Sequence, residues 1–193
     1  MLERLIEYDQ ELFLYLNNLG NEHWDWLWLM ITHKFGVPAI SIYVILLFLL
    51  YRTFGAKGLF TIVVGVAVMI TCTDQLANLF KHSFERPRPC RADGVEEFTR
   101  FIAERCGRFG YFSAHAASNM ALAILSGLLL KPTAKAVLPL MMLWAITVGY
   151  SRIYVGVHYP LDVISGFLIG GVIGFLIYRL IRGFLSEKLK YKF

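Results

Sequence analysis

The stretch SRIYVGVHYPLD, residues 151–162, sets Arg152, His158 and Asp162 at fixed spacing at the mouth of a long apolar segment. An arginine can grip an oxyanion through paired N–H donors. A histidine can attack or shuttle protons near neutral pH. An aspartate one helical turn further on can hold that histidine in one tautomer. Ser, Arg, His and Asp at these spacings arise by chance about once in 10⁵ windows at average residue usage. Structural needs seldom call for these types together where a chain enters lipid, so this segment speaks for function more than for fold.

Two further polar clusters stand upstream. In KHSFERPRP, residues 81–89, the two prolines forbid helix continuation and stiffen the exit from an apolar run. Lys81 and Arg88 can then both turn toward one anion, although a basic cluster after a span is also what an interfacial anchor needs. Asp74, Asn78 and Lys81 share one helical face. An Asp inside a span is costly and usually faces a polar cavity. Asp74 therefore either lines a site or pairs with a basic neighbour for structure. The second cluster is FSAH, residues 112–115. Ser113 suits an N-cap, and the free N–H groups of the turn it opens make a ready anion site. Ala114 is small enough for a ligand to approach the backbone, and His115 sits in the same turn. Alone, this cluster reads better as a plain capped helix with an interfacial His.

The elements that must position these residues are membrane spans. The chain of 193 residues is 57% hydrophobic and 17% charged, too apolar for a soluble domain, where charged residues run at about 25%. The expected fold class is all-α: one polytopic membrane helix bundle over residues 1–193, with about five to six transmembrane helices. Apolar runs at roughly 36–53, 57–80, 114–130, 134–150 and 161–181 each approach the ~20 residues a bilayer needs. The Trp-rich run at 24–31 is short and reads as an interfacial or half-inserted helix. Residues 3–18 place Leu5, Leu12 and Leu16 on one face and acids on the other, the pattern of a surface-lying amphipathic helix. Residues 1–35 thus form an N-terminal interfacial segment without the layout of a cleavable signal.

These spans put 81–113 and 150–160 on one side, and the turns near 52–57 and 131–135 with the tail from 182 on the other. The second side carries Arg52, Lys57, Lys131, Lys135, Arg179 and Arg182 and the tail lysines, against the single acid Glu187. Basic short loops stay in the cytoplasm, so the 82–112 loop and residues 151–162 are expected outside it, as in a bacterial inner membrane. Cys72 reads as a small buried packing residue. Cys90 and Cys106 both fall in the outer loop, where an oxidising compartment permits a bridge; two free thiols fit nearly as well. The net charge of +5 reflects the tail and the site, and no exposed basic module suggests a nucleic-acid partner.

The three clusters lie at outer span ends, and a compact bundle would bring them to one pocket at the membrane surface. It would hold Lys81, Arg88, Arg152, two histidines, a carboxylate and a helix N-terminus. Such a pocket suits a phosphate carried on a lipid. No His, Cys or carboxylate grouping has metal-ligand spacing, so neither a metal nor a cofactor is expected.

At these residues the sequence resembles the type 2 phosphatidic acid phosphatase superfamily, the membrane lipid phosphatases related to vanadium haloperoxidases. That family carries Lys-x6-Arg-Pro, Pro-Ser-Gly-His and Ser-Arg-x5-His-x3-Asp. The first stands here as Lys81 to Arg88-Pro89 and the third as Ser151-Arg152, His158 and Asp162. The second stands as FSAH, with its Pro and Gly replaced. The likeness spans 81–162 by motif and most of the chain by layout, with residues 1–35 outside it. It implies that His158 takes the phosphoryl group, Asp162 orients it and His115 protonates the leaving oxygen. It also implies that Lys81, Arg88, Ser113, Arg152 and the Ala114 and His115 backbone N–H groups bind phosphate oxygens, and that water cleaves the phosphohistidine. His158 must then start neutral and His115 protonated. The expected activity is metal-independent hydrolysis of a lipid-linked phosphate or diphosphate. Undecaprenyl diphosphate ranks first, followed by lipid A or phosphatidylglycerophosphate, with a phosphotransferase as a variant. A transporter or non-catalytic lipid-phosphate binder is the alternative from another class.

Overall fold

A computed structural model describes residues 2–191. The described chain is helical: α1 (Leu2–Asn18), α2 (Glu22–Thr32), α3 (Val37–Phe84), α4 (Ala114–Leu130), α5 (Val137–Tyr154) and α6 (Pro160–Lys188). Short 3₁₀ turns lie at Pro89–Arg91 and Glu96–Phe98. A straight helix of the length of α3 would run roughly 72 Å at 1.5 Å per residue. It does not run straight, because Gly55 adopts φ 57° and ψ −172°, a left-handed φ that glycine enters without penalty. The arms 37–54 and 56–84 fold back so that Leu46, Leu50, Ile62 and Met69 line the same groove. The two arms with α4, α5 and α6 make five spanning segments, close to the expected boundaries. The second arm continues to Phe84, where Glu85 takes a left-handed cap and donates its N–H to the Lys81 carbonyl. Pro87 and Pro89 follow.

α4 is the hub. It packs most extensively on α6, then on α5 and α3, and buries Ala116, Ala117, Met120, Ala121, Ala123 and Leu125. Burial of apolar side chains does little to drive helices together inside lipid, because acyl tails are equally apolar; close approach through small residues does more. Gly166, Gly170 and Gly174 of α6 supply that approach. A Cβ on Gly170 would stand 2.1 Å from the Ala117 carbonyl oxygen, one on Gly174 2.4 Å from that of Ala121, and one on Gly166 2.7 Å from that of Ser113. The register rises together on both helices, so α4 and α6 run parallel and begin at the same end. α3 and α5 finish there. At the opposite end Thr53 and Thr133 hydroxyls meet at 3.4 Å and Tyr191 donates its hydroxyl to the Phe54 carbonyl. The turns and the tail therefore share one side.

The loop between α3 and α4 is stapled. Pro87 pairs with Phe109 in an antiparallel bridge, Gly110 N–H donates to Arg86 O at 3.0 Å, and a disulfide joins Cys90 to Cys106. Cys72, expected inside the packing, is exposed on the bundle surface: the inward stripe of its arm is Met69, Thr73 and Ala77, spaced by four, and Cys72 falls off it.

α1 differs from expectation in the face it uses. Leu5 and Leu12 point outward, about half exposed. The stripe against the bundle is Asp9, Phe13 and Asn17, all buried. Polar residues can face inward here because each is bonded. Asn17 Nδ2 donates to the carbonyls of Arg100, Ile153 and Tyr154 at 3.1, 3.0 and 2.9 Å, satisfying carbonyls left open at the end of α5. α2, too short to cross a bilayer by itself, stacks Trp28 on Tyr154 with centroids 5.0 Å apart.

The glycine seam yields a paired test. Gly170→Val should lower the apparent Tm in detergent by at least about 5 °C, since overpacking here displaces backbone. Gly171→Val, one residue along with nothing within 4 Å, should move it by less than about 2 °C. Equal shifts would remove the seam from the account of stability.

Candidate active site

The common end of α3, α4, α5 and α6 holds a chamber of about 260 Å³ lined by Lys34, Asp74, Asn78, Lys81, Arg88, Ala114, His115, Arg152 and His158. The three stretches singled out from sequence therefore meet. Each residue arrives by a local cause. Lys81 is in the last turn of α3. Arg88 is on the loop after the proline exit, its Nε donating to the Phe109 carbonyl at 3.0 Å. Ala114 and His115 open α4 behind the Ser113 cap, whose Oγ accepts from Ala116 N–H at 3.4 Å. Arg152 ends α5. Gly156 then turns the chain at φ 83°, and the N–H groups of Val157 and His158 both donate to the Arg152 carbonyl, at 3.1 and 3.3 Å.

Two residues from the sequence reading stand behind the chamber and do not line it. Ser113 is fully buried. Its hydroxyl is engaged in the cap and its N–H donates to the Asp162 carbonyl at 2.9 Å, so it shapes the α4 terminus from below. Asp162, also fully buried, sits behind His158: Oδ2 lies 3.2 Å from His158 Nδ1 and accepts from Tyr159 N–H at 3.1 Å. A proton on Nδ1 pointing at that carboxylate leaves the Nε2 lone pair free. Burial first, then the charges of Arg88, Arg152, Lys81 and Arg86, hold the His158 imidazole well below its ordinary 6.5. The ring is thus neutral at neutral pH.

Arg152 adds an unused donor to the chamber wall. Its Nη1 donates to Thr32 Oγ1 at 2.5 Å, while its Nε is buried without a partner. A buried donor of this kind costs about 1–3 kcal/mol unless something accepts from it. Asp74 both lines the chamber and approaches Lys34 Nζ at 4.0 Å, so the two readings of that residue hold together.

Sequence reasoning missed three contributors. Lys34 comes from the link between α2 and α3, and nothing local distinguishes it. Arg86 sits inside the KHSFERPRP run, where spacing gives it no role apart from Lys81 and Arg88. Asp9 falls by sequence on the polar face of α1. All three are brought in by long-range contacts. A second cavity of about 420 Å³ leads away from the chamber between the arms of α3 and α4. It is walled by Tyr43, Leu46, Leu50, Ile62 and Met69 among others, and shares Lys34 and His115 with the chamber. A charged head with an apolar trough beside it can take a phosphate attached to a hydrocarbon chain.

These features define a membrane-embedded anion site on a helix bundle, and comparison with known proteins places it. The PAP2 superfamily profile matches residues 58–185. A lipid A 4'-phosphatase of Bacteroides thetaiotaomicron is 33% identical over 192 residues, covering 98% of this chain and 81% of that protein. An undecaprenyl-diphosphatase of Sulfolobus acidocaldarius is 28% identical over 180 residues, covering 91% and 74%. The crystal structure of the PAP2-type phosphatidylglycerolphosphate phosphatase of Bacillus subtilis superposes with TM-score 0.71 at 19% identity, covering 98% and 90%; it shares the fold. The chain belongs to the PAP2 superfamily, as an integral membrane lipid phosphatase. The likeness to the Bacteroides protein also takes in nearly all of residues 1–35, which the motifs alone had left outside.

The depressed basicity of His158 has a sign that can be read directly. Protonation requires a pH below the ordinary 6.5, so in apo protein its ring resonances should hold the neutral form from pH 8 through 6.5. NMR of ¹⁵N-histidine-labelled protein, assigned by loss of the signal in His158→Ala, checks this; a midpoint at or above 6.5 contradicts it.

Proposed function

We propose that this chain hydrolyses a phosphate ester on a membrane lipid through a phosphohistidine at His158, facing outside the cytoplasm. The carrying observation is the shared chamber, where His115 and His158 stand among Lys34, Lys81, Arg88 and Arg152. The Nε2 lone pair of His158 attacks phosphorus and the P–O bond to the lipid breaks. His115 gives its proton to the departing oxygen. Asp162 keeps Nδ1–H aligned and balances the positive charge that grows on the imidazole. Lys81, Arg88 and Arg152, with the Ala114 and His115 backbone N–H groups at the α4 terminus, hold the phosphoryl oxygens. Water, deprotonated by the now neutral His115, then cleaves the P–N bond and releases phosphate. Phosphoryl transfer asks chiefly for positioning and charge stabilisation. The fixed cations supply that charge, which favours a metal-independent reaction.

For the lipid, we place a lipid A-type phosphate monoester first, supported by the near full-length likeness to a lipid A 4'-phosphatase. A polyprenyl diphosphate is the second reading. The observation favouring it is the narrow apolar trough of about 420 Å³ beside His115, which suits one linear chain. The outward orientation rests on the cationic opposite side and on the Cys90–Cys106 disulfide, a bond that persists in oxidising compartments. We take residues 1–193 as one catalytic unit.

Purified protein presented with lipid A, undecaprenyl diphosphate, phosphatidylglycerophosphate and phosphatidic acid should release inorganic phosphate, fastest from lipid A. Asp162→Asn should cut kcat by about 10²–10⁴-fold with little change in KM. EDTA should leave turnover intact. Loss of activity in EDTA restored by Mg²⁺, or full phosphate release by His158→Ala, would sink the scheme.

A further inference from the structure

The carboxylate behind His158 is not alone. Arg86 Nη1 donates to Asp162 Oδ1 at 2.9 Å, and Nη2 of the same guanidinium donates to Asp9 Oδ2 at 2.6 Å. The other oxygen of Asp9 accepts from the Leu161 N–H at 2.9 Å, one of the open donors of the first turn of α6. The guanidinium carbon lies over Tyr159, 4.1 Å from the ring centroid, and Phe13 of α1 meets that ring edge-on at 5.3 Å. Asp9 is 4% exposed and Asp162 not at all. A chain His158–Asp162–Arg86–Asp9 therefore runs from the reaction chamber back into α1.

Its charges decide what it does. Arg86 on Asp162 alone would sum to zero and would blunt the negative field that a phosphorylated imidazole needs behind it. Asp9 on the far side of the same guanidinium returns the cluster to one net negative charge. The planar fork of arginine, gripped from both sides by carboxylates, also fixes the rotation of Asp162 so that Oδ2 and not Oδ1 meets the imidazole. A lysine, a point charge on a flexible stem, cannot hold two carboxylates in that manner.

We propose that Asp9 and Arg86 are positioning residues for the His158–Asp162 pair, so that the N-terminal helix belongs to the reaction machinery as well as to the membrane interface. The inference rests on the reading of His158 as nucleophile. A purely structural role for the pair would be to dock α1, and it predicts a different outcome.

The test uses the full chain in detergent, with phosphate release from the best lipid phosphate of the wild-type enzyme as the readout. Asp9→Asn should lower kcat about 10- to 100-fold, the range seen when a partner of an active group is removed, with KM within about twofold. Placed on Asp162→Asn, the same change should cost less than about twofold, because the residue it acts through is already disabled. Arg86→Lys should fall between wild type and Arg86→Ala in kcat. An unchanged kcat in Asp9→Asn, or an equal loss with and without Asp162, overturns the proposal. Should Asp9→Asn fail to fold, Arg86→Lys decides: a several-fold lower kcat at unchanged KM supports the proposal and wild-type kcat overturns it. His158→Ala run alongside separates the two levels. If it is inactive while Asp9→Asn is normal, only the positioning role falls; if it stays active, the nucleophile assignment falls first.

Discussion

The approach of α4 to α6 is the contact on which the rest depends. Inside a bilayer a leucine gains little by leaving lipid for another leucine, so association must come from backbones that nearly touch. Gly166, Gly170 and Gly174 permit that against Ser113, Ala117 and Ala121. The seam runs up to the very start of both helices, where the Ser113 N–H donates to the Asp162 carbonyl. One consequence is chemical. The two helix N-termini open side by side, which places His115 and His158 on the walls of one chamber even though they come from separate stretches of chain.

Charge is sorted around that chamber. In front of His158 stand Lys34, Lys81, Arg88 and Arg152, relieved by Asp74 alone among the lining carboxylates. Behind it lie Asp162 and Asp9 with Arg86 between them. Electrostatic forces are strong where water is scarce, so this separation gives the imidazole a cationic front and a net anionic back, the arrangement the proposed phosphoryl transfer calls for. Burial and the surrounding cations also favour the neutral ring. The parts outside the bundle serve the same arrangement. The stapled α3–α4 loop presents Arg86 and Arg88, and Asn17 ties the end of α5 just before the turn to His158.

Much of this was open to reading in the sequence. The spans were legible because lipid demands long apolar runs, and the boundaries of α4 differ from the reading by nothing at all. The break between the first two spans was legible from the polar turn around Gly55. The reactive residues were legible because Arg152, His158 and Asp162 lie within one turn-and-helix-start whose spacing has a local meaning. The misreadings share a cause. Cys72, the inward face of α1, Arg86 and Lys34 all depend on which distant segment each one meets, and nothing within a few residues of any of them declares that partner. Asp9 is the clearest instance: on a helical wheel it belongs to the wet face, and only docking on Arg86 and Leu161 makes it an inward residue.

Taken alone, then, the order of amino acids determined that this chain lives in a membrane, where its apolar runs lie, and which histidines and cations stand at their ends, because each of those follows from composition or from spacing within a few residues. Only the tertiary structure decided which glycines form the seam, that Ser113 supports from beneath and does not line the chamber, and that α1 reaches the carboxylate behind His158. Those are contacts between segments far apart in the chain, and their geometry is set by how close two backbones can come.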